Sequence, residues 1–321
     1  MQAVGRYFRV RASFLLAAAA CGVAGCRSAP SPATTAVLPD SAQALSLLGE
    51  PLYVPELSAA TRAAYEQKLA EARHAYDRAP ANADSIIWLG RRTAYLGRYR
   101  EAITIFTEGI RKHPTDARMH RHRGHRYITV RELDKAIADL ARAAALTEGR
   151  PDEIEPDGIP NARNVPTSTL QSNIWYHLGL AHYLKGDFPR ALAAYRKAMG
   201  VSASPDMLVA TSHWLYMTLR RLGRGAEASA VLAPISRDMS IIENDAYHKL
   251  LLLYKSELPA DSLAPSGGDQ LNDASIGYGV GNWHLYNGRR RQAMDVFRRV
   301  LRGGNWPAFG YIAAEAELAR N

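Results

Sequence analysis

The densest concentration of chemically capable side chains is the run Met119-His120-Arg121-His122-Arg123-Gly124-His125-Arg126, with Arg118 just ahead of it. On a helix His122 and His125 are one turn apart and share a face, while His120 points elsewhere. Two imidazoles at that spacing can begin a transition-metal site, which His177 or His213 could complete if the chain brings them near. The arginines between them disfavour a bound cation; their guanidinium groups suit carboxylates and other anions. A second chemical element follows at 151–169, where Asp152, Glu153, Glu155 and Asp157 could fold over the Arg and His cluster as a lid. Asp157-Gly158 followed by Pro160-Asn161 is turn chemistry, so those acids could equally be solvated loop charge. The sequence has no H-E-x-x-H, no phosphate loop and no nucleophile–base signature. Binding therefore stands ahead of catalysis, no cofactor is expected, and an enzyme or metal-binding protein using the His/Arg cluster under that lid is the alternative.

The elements that must carry these residues repeat. Gly90 recurs as Gly124, Ala102 as Ala136, Phe106 as Leu140 and Pro80 as Pro114, each pair 34 positions apart. Each unit pairs a small residue, where two helices approach, with a large apolar residue that fills the gap. The pattern Trp88-Leu89-Gly90, then Gly97, Tyr99, Ala102, Phe106 and Pro114, resembles the tetratricopeptide repeat, a helix-turn-helix unit of this period. Further copies carry Trp175, Gly179, Gly186, Ala191 and Tyr195, and Gly281, Gly288, Ala293 and Phe297. The resemblance implies an all-α, right-handed solenoid of about five repeats over 58–320: 83–116, 117–150, 172–205, a degenerate 209–242, and 274–307. An insertion at 151–169 and a loop at 256–273 interrupt the period. A helix at 59–78 precedes the array, Leu45 to Leu48 could supply its partner, an apolar helix is expected at 241–255, and a helix at 309–320 should cap the stack.

In this family the first helix of each repeat lines the concave face. The resemblance therefore places a ligand-binding surface at Trp88, Arg91, Tyr95, Arg118, Arg121, His122, His125, Tyr176, His177, Tyr183, His213, Trp214, Arg220, Tyr247 and His248. Aromatic rings offer rigid contact area and arginines offer forked donors, a combination suited to docking an extended or acidic partner.

Outside the array, Arg6, Arg9 and Arg11 precede an apolar run, Phe14 to Ala20, that ends in Val23-Ala24-Gly25-Cys26. This reads as a secretory signal and resembles a bacterial lipobox, which implies cleavage after residue 25 and acylation of Cys26. The following stretch, within 26–57, is rich in Ser, Ala, Pro and Thr and reads as a flexible tether. Cys21 leaves with the signal and Cys26 would carry lipid, so neither is available for a disulfide. Losing three arginines and no acids lowers the formal charge from +9 to +6. The expected location is the cell envelope, on the periplasmic face of the outer membrane. The expected partners are a protein or peptide, an anionic small molecule or envelope polymer, and the membrane through the lipid; nucleic acid is not expected.

Overall fold

Local capping chemistry sets most helix boundaries. α1 (Ala59–Arg78) starts behind Ser58, whose side chain accepts from the Thr61 N–H. The first repeat is α2 (Ala83–Tyr95) and α3 (Tyr99–Lys112), and the second is α4 (Ala117–Thr129) and α5 (Leu133–Thr147). The third is α6 (Leu170–Leu184) and α7 (Phe188–Val201), with α6 opened by a reciprocal capping box between Thr169 and Ser172. α8 (Pro205–Arg221) and the short α9 (Gly225–Val231) form the fourth. α10 (Asp245–Tyr254) stands alone, and α11 (Gln270–Tyr286), α12 (Arg290–Val300) and α13 (Phe309–Arg320) close the chain. This computed structural model describes residues 38–263 and 270–320; the expected signal segment, Cys26 and the start of the tether lie outside the described residues. Among those described, no helix is long and apolar enough to cross a membrane.

The 34-residue spacing has a steric origin. A Cβ placed on Gly90 would stand 2.6 Å from the Phe106 ring, on Gly124 2.8 Å from Leu140, on Gly179 2.7 Å from Tyr195, and on Gly281 2.5 Å from Phe297. In these four repeats the large residue of the second helix lies against the backbone of the first. Ala102, Ala136, Ala191, Ala228 and Ala293 are all fully buried at the matching contact. The sharp turn between paired helices uses a left-handed residue: Gly97, Gly186, Gly223 and Gly288, with Arg131 (φ 64°) taking that place in the second repeat.

Three stretches differ from the sequence expectation. Leu45 to Leu48 do not help to build a helix. Ala44–Leu45 (β1) and Pro51–Leu52 (β2) pair antiparallel, with Ala44 opposite Leu52. Arg100 holds this hairpin by donating from Nε to the Gln43 carbonyl at 2.8 Å, and the Trp306 indole donates to the Tyr53 carbonyl at 2.8 Å. This part of the expected tether is thus packed against the array. The helix expected at 241–255 begins only at Asp245, because the buried Asp206 carboxylate accepts from the backbone N–H groups of Ile242, Glu243 and Asn244 and holds them in a turn. The 256–273 loop contains a 3-10 turn at Ala260–Leu263, and α11 already starts at Gln270. α13 packs on α11 and α12 as a cap should, and it also reaches α6.

That last contact closes the concave side. α4, α6, α8 and α11 touch across the inner face, where Tyr183, Trp214 and Tyr278 are almost fully buried. α13 brings carboxylates to this layer. Arg131 donates to Glu315 at 2.9 Å, with side-chain exposures of 3% and 1%. Arg221 pairs with Glu317 at 2.5 Å, and Arg320 donates to the Leu184 carbonyl at 2.6 Å.

Candidate ligand-binding site under the insertion

A hollow stretch of the inner face lies beneath the insertion. Residues 151–169 leave α5 and return to α6 through an antiparallel bridge between Ile154 and Thr169. The Arg92 guanidinium donates to the Gly158 carbonyl at 2.6 Å, and Asn161 donates to the Glu243 carboxylate at 2.7 Å. The Gly158 backbone packs directly on Tyr95: a Cβ there would stand 1.6 Å from the Tyr95 hydroxyl. Glu155 is buried and points inward: its Oε2 lies 3.0 Å from Arg121 Nε, and its Oε1 lies 3.9 Å from His122 Nε2. Nε of Arg121 nevertheless directs no hydrogen bond to a partner, so the contact with Glu155 is a misaligned charge pair.

Two connected spaces result. A recess of 120 Å³ is lined by Arg91, Tyr95, Phe106, Arg121, His122, His125, Arg126 and Glu155, among others. It shares Arg91, Tyr95, Arg121, His125 and Glu155 with a chamber of 420 Å³. The chamber is lined by apolar and aromatic side chains, among them Tyr176, Met207, Ala210, Tyr247 and Phe309, and by as many polar and charged ones, including Asn173, His177, Ser275 and the acids Asp157 and Glu243. Exposed Ile159 and Leu271 mark where it meets solvent.

The recess carries a surplus of positive groups. Three guanidinium groups, from Arg91, Arg121 and Arg126, face one carboxylate, Glu155. Arg91 lies over the Trp88 ring at 4.5 Å and contacts the Tyr95 hydroxyl at 3.5 Å; Arg126 lies 5.6 Å from the Tyr99 ring centroid. Among the described residues neither forms an ion pair with a carboxylate. Burial pushes Arg126 down to about 10, so it stays charged at neutral pH. The three histidines are held neutral: burial, followed by neighbouring arginines, places His122, His125 and His177 well below the usual imidazole range. Arg121 Nη1 lies 3.1 Å from His122 Nδ1 and 3.5 Å from His125 Nδ1. A guanidinium can only donate, so these Nδ1 atoms accept and the ring protons sit on Nε2. His177 does the reverse, donating from Nδ1 to the Asn173 carbonyl at 2.6 Å. Among the described residues no three His, Cys, Asp or Glu side chains stand together so as to hold a metal ion.

The structure therefore gathers Arg91, Tyr95, Arg121, His122, His125, Tyr176, His177 and Tyr247 around one space. It places the other seven candidates elsewhere. Trp88 supports Arg91 and Arg92 from beneath. Arg118 is tied to Asp116 and Asp84 at the start of α4. Tyr183, His213 and Trp214 are fully buried in the core, because α10, α11 and α13 cover the face they would have presented. His248 Nε2 donates to the Ser236 carbonyl at 2.7 Å. Arg220 lies over Tyr286 at 4.2 Å and donates to the Tyr216 hydroxyl at 3.0 Å. Arg126 and Phe309 belong to the site but fall outside the expected set. Arg126 had a visible signal, two places after the contact glycine in the basic run; Phe309 had none, since it arrives from the far end of the chain.

Residues 172–199 match the sequence model of the tetratricopeptide repeat. No curated protein matches the chain. Similar solved structures include a tetratricopeptide repeat protein from Parabacteroides merdae, 15% identical, covering 80% of this chain and 93% of its own, at a TM-score of 0.44. Another is YrrB, described as a TPR protein with an unusual peptide-binding site, 13% identical over 72% of this chain and 91% of its own, at a TM-score of 0.42. Residues 172–199 thus carry a tetratricopeptide repeat, and the first, second and last units share its glycine-against-large-residue packing.

Proposed function

We propose that this protein is an interaction module of the bacterial cell envelope, lipid-anchored through Cys26 on the periplasmic face of the outer membrane, that recognises an anionic group in the cavity roofed by residues 151–169. Tetratricopeptide arrays engage protein or peptide partners, and the coarse role follows from the family. The single observation that supports the finer reading is the recess in which three arginines face one carboxylate. Leaving guanidinium groups desolvated without a counter-charge is costly, and an incoming anion offsets that cost. Neutral His122 and His125 add Nε2 donors without adding charge.

The test uses Arg126→Gln in the full chain. The native protein should retain a partner from the envelope fraction of its host, and the variant should lose it while its thermal melt stays that of the native protein. Retention of the partner by Arg126→Gln would refute the site. Anchoring is tested separately by metabolic palmitate labelling, which should disappear in Cys26→Ser.

A further inference from the structure

The inner face of this array is no longer an open channel. On one side the insertion is pinned by Arg92 to the Gly158 carbonyl. On the other, α13 lies against α6, with Arg320 on the Leu184 carbonyl and Phe309 ring contacts to His125 and His177 at 5.3 and 5.5 Å. An extended strand running along the concave face would collide with both. What remains is a recess with a cationic floor opening into a chamber of 420 Å³, a volume in the range of small-molecule sites. The chamber has one aromatic and apolar wall, from Tyr176, Met207, Tyr247 and Phe309, and a polar roof.

The recess also contains an internal example of what fits. The Glu155 side chain, delivered by the roof, places a carboxylate beside Arg121. It is held imperfectly: Arg121 Nε makes no aligned hydrogen bond, and Arg91 and Arg126 have no carboxylate partner among the described residues. The second acid of the roof, Asp157, lines the chamber rather than the recess; burial and Glu243 push its carboxyl upward, and Arg91 pulls it down.

We propose that the cavity binds a compact organic carboxylate with an aromatic or branched apolar body. Its carboxylate takes the guanidinium groups of Arg121 and Arg126, displacing Glu155, and its body packs in the chamber against Tyr176, Tyr247, Met207 and Phe309. Glu155 is then a built-in competitor that keeps the arginines from standing wholly uncompensated before the ligand arrives. This inference rests on the anion site proposed above and specifies its ligand and its gate.

The test is calorimetric titration of the full chain in detergent with 3-phenylpropionate, its neutral counterpart 3-phenylpropanamide, inorganic phosphate, and an acetylated hexapeptide ending in Phe with a free carboxylate. 3-Phenylpropionate should bind, and the amide should bind at least about tenfold more weakly, since it forgoes charge-assisted contacts. Arg126→Gln should weaken the acid by about tenfold or more, and Glu155→Gln, which keeps the shape of the side chain and removes its charge, should tighten it several-fold. Equal binding of acid and amide, or weaker binding of the acid to Glu155→Gln, would overturn the proposal. Tighter binding of phosphate than of 3-phenylpropionate would overturn the organic body, and equal or tighter binding of the hexapeptide would overturn the compact ligand. If the partner is lost from Arg126→Gln but no carboxylate binds the native chain, this inference fails and the broader anion-dependent role stands.

Discussion

Replacing His213 by Phe isolates the energetics of a buried imidazole. His213 has no exposed surface; it stacks on Tyr247 at 4.6 Å and Tyr254 at 5.8 Å, and its Nε2 has no hydrogen-bond partner. Burial alone pushes it down to about 3, against 6.5 in the unfolded chain. For an imidazole whose folded value is depressed, the unfolded state binds more protons between the two values, so stability is lost as pH falls below 6.5. At pH 4.5 the gap traversed is about two units, and at about 1.36 kcal/mol per unit this one group removes about 2.7 kcal/mol of stability relative to pH 8. Phe has no proton to bind and fits the aromatic stack. Urea unfolding of native protein and His213→Phe at pH 8 and pH 4.5 gives the difference directly, because His122, His125, His177 and the carboxylates contribute equally to both proteins. The variant should lose about 2.7 kcal/mol less than the native protein over this interval. Identical losses in the two proteins would refute the reasoning, since His213 would then be protonated at no cost in the folded state.

Two further perturbations probe the contacts that close the array. Glu315→Ala strips the counter-charge from Arg131, buried with it at 3% and 1% side-chain exposure; equilibrium unfolding should register a loss of about 3–5 kcal/mol, the usual consequence of breaking a buried pair. A loss below about 1 kcal/mol, the value of a surface pair, would mean that α13 does not seal this layer. Gly158→Ala places a methyl group 1.6 Å from the Tyr95 hydroxyl, so the roof must lift or Tyr95 must turn. If the roof lifts, trypsin should cut at Arg163 faster than in the native chain, with helical content by circular dichroism unchanged, whereas equal cleavage rates would show that Tyr95 turns aside and the roof stays seated.

The repeat itself was legible because its determinants are local. Gly90 and Phe106, or Gly124 and Leu140, are sixteen residues apart within one helical hairpin, and any chain that places them so must bring their helices together. The start of α1 at Ser58 and the end of each first helix before a left-handed residue are likewise short-range capping effects. Asp206 was not readable as the reason α10 starts late, because its three backbone partners lie 36 to 38 residues downstream. Nor was the hairpin at 44–52: two-residue strands carry almost no periodicity, and what holds them are Arg100 and Trp306, the latter from the opposite end of the chain.

For the candidate site, the chain by itself determined that positive charge and imidazoles would lie on the inner surface of the second and third repeats, because residue type and helical register are properties of sequence. Tertiary structure decided which of those side chains face a ligand. α10, α11 and α13 covered Tyr183, His213 and Trp214 and made them core, and α13 delivered Phe309 to His177. The insertion folded back to put Glu155 beside Arg121. Each of these events joins segments separated by tens to hundreds of residues, and their energies come from burial and charge pairing that exist only once the superhelix has closed.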